Sequence, residues 1–347
     1  MVFVPNDSAK IRQAYCTLAE MDADLGDLGL RPDILTRFIL PASQYLQREI
    51  GQFIPTLEMR IIAGNSRAEL VIPPLLSLIT VKNDESLLPA SVFILLPATR
   101  MWANGPYVRI SLDPEVTSGA YWVPEKNAVE ISGTWGLWEQ VARTGATLTS
   151  NQAIDAETLE ASDAGKVSPG MTLLIESEVQ FVTGFGDPVA AVTALAATLD
   201  NQGETLTVAS SANIFPGEII RVDFEQMKVL DKKVGKLNVA RGWAGSTKTG
   251  HSSSADIDVY KVFAVERSVN GTAAAAHVAT TALRRYSVPE DINYLTRQIA
   301  TLMLKKAQTG YAGRSGNSET GETFYNYEFP KDAIARVKAN YYIPHTR

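Results

Sequence analysis

The sequence predicts an α+β chain: helices and a small sheet form a core, interrupted by an inserted all-β domain of two similar, nested subdomains. Three observations lead there. Apolar residues recur at helical spacing near both ends of the chain, and at period two from Thr56 to Trp135. Between about Arg143 and Arg284 the composition turns rich in Ala, Thr, Ser, Gly and Val and poor in Leu. Within that stretch one segment of 25 residues occurs twice without a gap.

The elements follow in order. Ile11, Tyr15, Leu18 and Leu25 fall near one face of a helix from about Asp7, as N-cap, to Leu25. A second helical pattern covers about Pro32 to Ile50, and Pro41 inside it predicts a kink or split. LEMRIIAG, the turn NSRA and ELVIP then read as a β-hairpin. ASVFILLP, PYVRISLDP and NAVEISGTW supply further strands. After the inserted stretch, Ser287-Val288-Pro289-Glu290 has the pattern of a capping box. An apolar stripe (Ile292, Leu295, Ile299, Leu302, Met303) follows and ends near Lys305-Lys306, where cations suit the helix dipole. GYAGRSGNSETGE is polar and glycine-rich, FYNYEF reads as extended, and Lys331 to Tyr342 reads as a terminal helix with Ile334, Val337 and Tyr341 on one side.

The repeat explains a puzzle in the inserted stretch. RGWAGSTKTGH (Arg241 to His251) and RSVNGTAAAAH (Arg267 to His277) share an Arg, a Gly four residues on, a hydroxyl residue next, and a His ten residues after the Arg. Upstream, TLEASDAGKVSPGMTLLIESEVQFV (Thr158 to Val182) aligns with TLTVASSANIFPGEIIRVDFEQMKV (Thr205 to Val229). The copies are not in tandem. The first breaks off near Asp187, and its second half appears only after the second copy is complete. A copy inserted into the hairpin turn of its twin accounts for this order, since surface turns tolerate insertion. The predicted divisions are 1–143, then 144–283 (copy one 144–187 plus 259–283, copy two 188–258), then 284–347.

Composition narrows function. Apolar content of 45% with 20% charge belongs to a folded chain. The single cysteine, Cys16, excludes an intrachain disulfide and a cysteine-rich metal site. Val71–Val81 is too short and proline-rich to span a bilayer. MVFVPNDSAK lacks the features of a secretory signal, so folding in a reducing cytoplasm is expected. A net charge of −6 argues against a dedicated nucleic-acid binder. Net charge is −4 over 1–143, −6 over 144–283 and +4 over 284–347, which suits an acidic partner for the C-terminal part.

The chemistry-bearing residues read as structural. His251 and His277 lack ligand-spaced partners and are expected to bond their own loop backbone. With Arg241, Gly245, Arg267 and Gly271 they form the structural loops of the repeat. Glu176 with Glu178, and Asp223 with Glu225, alternate along strands and read as solvated faces. The phosphate-loop, nucleophile-elbow and zinc-helix motifs do not occur, so no catalytic residue, cofactor or metal is expected. The aromatics of FYNYEF read as interface anchors.

With the insertion removed, a further likeness emerges. LPASQYLQREIGQF, the hairpin segment, a strand ending in VEISGTWGLW, the helix VPEDINYLTRQIATLMLKKAQTGYAG and a tail ending near ANYYIP stand in the order found in head–tail connector proteins of tailed bacteriophages. The chain resembles these adaptor, or head-completion, proteins over about residues 30–143 and 284–345. The resemblance implies a helical connector core and a homo-oligomeric ring, commonly of twelve copies, beneath the portal protein. The ring would meet a tail or stopper protein and let DNA pass without sequence-specific binding. The chain would then sit in the neck of the virion, after assembly in the host cytoplasm, with no membrane partner. The C-terminal arm would contact portal or neighbour through Tyr311, Arg314, Phe324, Tyr325, Tyr327, Phe329, Arg336, Tyr341 and Tyr342. The alternative is a tail-fibre or baseplate component whose β-modules bind carbohydrate or receptor.

Overall fold

Residues 10–26, 28–99, 102, 105–308 and 329–342 are described by the computed structural model. The chain is mixed α and β, with three antiparallel sheets of six strands each. Among the described residues no helix is long and apolar enough to cross a membrane.

Helix α1 (Leu18–Leu25) begins later than its periodicity predicts, and Asp7, the expected N-cap, lies outside the described residues. Thr17 and Glu20 form its capping box: the Thr17 hydroxyl accepts from Glu20 N at 3.2 Å, and the Glu20 carboxylate accepts from Thr17 N at 3.0 Å. Upstream backbone is already committed elsewhere. Asn270 N donates to Lys10 O at 2.8 Å, and Gln13 exchanges hydrogen bonds with the backbone of Ile54 at 2.8 and 3.1 Å. The second helical run is not split at Pro41 but passes through it, with a π turn just ahead of the proline. It comprises α2 (Pro32–Ile34), a π-helical turn (Leu35–Ile39) and α3 (Leu40–Glu49). Pro41 has no N–H to continue the α ladder, and Leu40 N reaches back to Leu35 O instead.

The first sheet holds β1 (Thr56–Ile62), β2 (Glu69–Asn83), β3 (Ser86–Leu87), β4 (Phe93–Leu96), β5 (Tyr107–Leu112) and β6 (Val129–Trp135). Its order is β1-β6-β2-β5-β4, with β3 beside β2. The expected hairpin between β1 and β2 is therefore not formed, because β6 lies between them. Two side-chain features of Gly-Thr-Trp make this possible. A Cβ on Gly133 would overlap the Ser77 carbonyl of β2, and the buried Trp135 donates its indole N–H to Glu58 O of β1 at 2.9 Å.

The second sheet contains β7 (Val141–Thr147), β8 (Thr158–Glu160), β9 (Thr172–Ile175), β10 (Glu178–Phe185), β17 (Val262–Glu266) and β18 (Ala282–Tyr286). The third contains β11 (Val189–Ala194), β12 (Thr205–Thr207), β13 (Ile219–Val222), β14 (Glu225–Lys233), β15 (Lys236–Ala240) and β16 (Asp256–Val259). Their orders, β7-β18-β9-β10-β17-β8 and β11-β16-β13-β14-β15-β12, place corresponding strands in corresponding positions. Bridges Leu148–Ala161 and Leu195–Val208 bring the edges of each sheet together at one point. All of β11 to β16 lies in sequence between β10 and β17. Those two strands are paired up to Phe185↔Phe263, and Gly186 N donates to Val262 O at 2.8 Å where the chain departs and returns.

Helices α4 (Glu290–Gln308) and α5 (Lys331–Asn340) complete the core. The Ser287–Glu290 capping box does not form among the described residues. Ser287 N donates to Gln140 O at 2.9 Å, which prolongs the β7–β18 ladder and holds Ser287 in the sheet, while the Asp291 carboxylate accepts from Ile292 N at 2.9 Å. Ile292, Leu295 and Ile299 are buried against Tyr15, Leu35, Phe38 and Leu46. Val179, Phe181 and Val269 of the first β unit belong to this same cluster. The second β unit has a cluster of its own, from Leu195 to Val259. One unit is thus built into the helical core, and the other stands beside it.

Candidate functional site

The most developed constellation in the chain occurs twice, once in each β unit. A two-residue turn links β9 to β10 and β13 to β14, with one carboxylate on its first residue and another on the first residue of the next strand. Glu176 and Asp223 occupy the turns with left-handed φ of 54° and 51°. Glu178 and Glu225 begin the next strands and are buried.

In the second unit, Glu225 gathers four N–H donors. Arg241 reaches both oxygens, at 2.6 and 2.7 Å, while Gly242 N and Thr249 N donate at 3.0 and 3.1 Å. His251 Nε2 lies 2.9 Å from Glu225, and its Nδ1 lies 2.7 Å from Asp223. The rest of the Arg241 fork donates to the carbonyls of Asp200, Gly203 and Thr249. The first unit repeats the set. Arg267 meets Glu178 at 2.7 and 2.6 Å, His277 lies 2.8 Å from both Glu176 and Glu178, and Arg267 also donates to Ala153, Ala156 and Ala275. The histidines therefore bind carboxylates rather than loop backbone. The paired carboxylates are likewise not a solvated face, since the inner one of each pair is buried on an arginine. Burial alone would raise the carboxyls of Glu178 and Glu225. The hydrogen bonds from Arg and His outweigh it and bring both down to about 2.

The loop between Arg and His has the same backbone in both copies. Gly242 and Ser268, Ala244 and Asn270, and Gly245 and Gly271 are all left-handed. Ser246 and Thr272 accept from Gln226 N and Val179 N, each at 2.9 Å. What differs is what the loop touches. In the first unit Val269 is buried in the helical core, and Asn270 O accepts from Leu57 N of β1 at 2.9 Å. In the second unit Ala244 packs on Gly29, and Lys228 bonds Asp22 of α1 at 2.8 Å while lying over the Trp243 ring. The arginine, glutamate and histidine brace a loop, and the loop attaches each β unit to the helices.

A second buried set joins the two units. Glu218 accepts from Ala164 N and Phe215 N, each at 2.9 Å, and lies 3.4 Å from Lys261, whose ammonium donates to Asn213 O at 2.5 Å. Burial raises the Glu218 carboxyl, against the pull of Lys261. Sequence reasoning missed this pair, because Met171 occupies the matching position of the first unit.

The expected interface residues of the C-terminal part are divided. Phe329 packs on Tyr45 at 5.2 Å between ring centres. Tyr341 packs edge-on against Phe53 and Trp102, and its hydroxyl donates to Asp291 at 3.0 Å. Arg336 and Tyr342 are exposed. Tyr311, Arg314, Phe324, Tyr325 and Tyr327 lie outside the described residues. Comparison of the chain with protein-family models, with curated proteins and with solved structures returns no match.

Proposed function

We propose that the chain is a structural virion protein: a ring-forming adaptor between the portal of a DNA-filled phage head and the tail or stopper, extending the DNA channel. One observation carries this reading. Every nitrogen and oxygen of the Glu178–Arg267–His277 and Glu225–Arg241–His251 side chains is engaged in bracing a loop. The most chemically able side chains thus serve attachment, as an assembly protein requires. The resemblance of residues 30–143 and 284–345 supplies the kind of assembly. The second β unit is read as a copy of the first, inserted in its β10–β17 hairpin. The matching strand orders and the matching Arg–Glu–His sets support that history.

In the ring, each copy presents two different faces to its neighbours. The C-terminal part, net +4, is the proposed portal contact. The body, net −10, avoids gripping DNA that must slide past, since phosphate contacts dominate non-specific affinity. The test is a mass measurement of the purified chain alone and mixed with the portal of its phage. A closed ring on the portal is expected. Absence of any complex with portal or with DNA-filled heads would overturn the reading.

A further inference from the structure

The two β units act as controls for one another, and they differ sharply at one turn. Between β9 and β10 the second turn residue is Ser177; between β13 and β14 it is Phe224, which is 97% exposed. The turn that presents Phe224 is stiff. Asp223 before it is left-handed and fixed to His251, and Glu225 after it is buried on Arg241. An aromatic ring on a rigid support loses little freedom on docking, and such rings anchor protein interfaces.

A cavity with apolar walls lies elsewhere on the chain. It is open, has a volume of about 450 Å³, and lies between the end of α3, β1, β2 and α5. Ile50, Pro74, Leu137, Tyr341 and Tyr342 give it apolar walls, and Arg60 and Lys338 stand at it. Both cations have acidic neighbours: Glu58 lies 2.5 Å from Arg60, and Glu49 lies 3.6 Å from Lys338. The Asp223 carboxylate beside Phe224 is half-exposed.

We propose that Phe224 of one copy seats in this cavity of a second copy, with Asp223 beside Arg60 and Lys338. Apolar ring meets apolar wall, and a carboxylate meets two cations that line the cavity while their own partners, Glu58 and Glu49, do not. Phe224 does not occupy the cavity of its own chain, since it remains exposed. Every copy therefore carries one knob and one hole. A contact of this kind is heterologous, and its repetition closes a ring or extends a filament. The inference rests on the ring reading above and specifies the contact between neighbours.

The test uses the full chain and two variants at exposed positions. Phe224→Ser installs the residue of the equivalent turn and removes the knob. Tyr342→Asp places a charge in the hole. Sedimentation velocity over a concentration series should show assembly of the unmodified chain, and association at least tenfold weaker for each variant alone. A 1:1 mixture of the two should form a dimer and nothing larger, because only one productive contact remains. The proposal is overturned if Phe224→Ser assembles like the unmodified chain, if the mixture gives no dimer, or if the unmodified chain is monomeric throughout. Normal attachment of Phe224→Ser to DNA-filled heads would remove the knob and leave the ring reading intact. Failure of the unmodified chain to attach would remove the ring reading itself.

Discussion

Replacing Glu225 by Gln tests the idea that the repeated charge network is what holds each loop in place. The substitution keeps the shape and removes the charge. Arg241, 1% exposed at its side chain, would keep its fork around a neutral amide. One carboxylate oxygen would become an NH2 facing other donors, among them Arg241 or Thr249 N. Two routes give the cost. The carboxyl drops from 4.5 to about 2 on folding, worth about 3 kcal/mol at about 1.4 kcal/mol per unit. Removing one partner of a buried ion pair costs about 3–5 kcal/mol in general. The routes agree on about 3–5 kcal/mol, confined to the second unit because that unit has its own core.

The assay is segment-resolved hydrogen exchange, since a chain with several cores gives no single unfolding free energy. Protection in 189–259 should fall by about a hundredfold or more, while 141–186 and 262–286 hold. Acid supplies a second signature. A carboxyl depressed on folding contributes fully above its unfolded value of 4.5, and that contribution fades as pH falls toward about 2. Both units of the unmodified chain should loosen in this window. In Glu225→Gln the second unit should lose that part of its pH dependence, and the first should keep it. Loss of less than about 1 kcal/mol, or equal loosening of both units, would refute the reasoning.

Three further outcomes are expected. Joining Asp187 directly to Lys261 through a short turn should leave a soluble chain with its helical circular dichroism intact, whereas removing 144–283 should not, because Val179, Phe181 and Val269 sit in the helical core. Gly271→Ala should cost more than about 3 kcal/mol and Gly245→Ala only about 1–2 kcal/mol in thermal or denaturant unfolding: both are left-handed, but only at Gly271 would a Cβ overlap a neighbour, the Leu57 carbonyl. The buried amides of Gln152 and Gln180 bond each other at 3.1 and 2.9 Å where the second unit has Leu199 and Met227, so Gln152→Leu alone should destabilise the first unit by about 1–3 kcal/mol, and adding Gln180→Met should restore most of it in a double-mutant cycle.

Much of the fold was legible because its signals were local. Pro41 leaves its mark as a π turn just before it, and the ladders β5 and β6 follow their period-two patterns. The failures share one cause, competition from distant backbone. The hairpin of β1 and β2 yields to β6, whose Gly133 lets two strands approach closely. Helix α1 starts late because Lys10 and Gln13 are held by Asn270 and Ile54. The Ser287 cap fails because its N–H is already in a sheet. The charge network was within reach of sequence alone. Glu178 and Glu225 coincide in the repeat, and so do the two Arg and the two His. Three charged types that recur together at fixed spacing in a domain with a small core indicate one buried set, and a solvated face has no reason to repeat all three.

The same comparison separates what builds the unit from what uses it. Residues that hold the loop recur in both copies: Arg241 and Arg267, Glu225 and Glu178, His251 and His277, Gly245 and Gly271. Residues at the points of contact differ. Trp243 stands where Val269 does, Ala244 where Asn270 does, Glu218 where Met171 does, and Phe224 where Ser177 does. Three of these four differences are explained within the chain. Val269 and Asn270 dock on the helices and on β1, Ala244 meets Gly29 with Trp243 beside Lys228, and Glu218 joins the two units. The fourth, Phe224, is 97% exposed and has no such contact within its own chain. Of these four differences, the one left without a contact in its own chain is the one we place on a second copy.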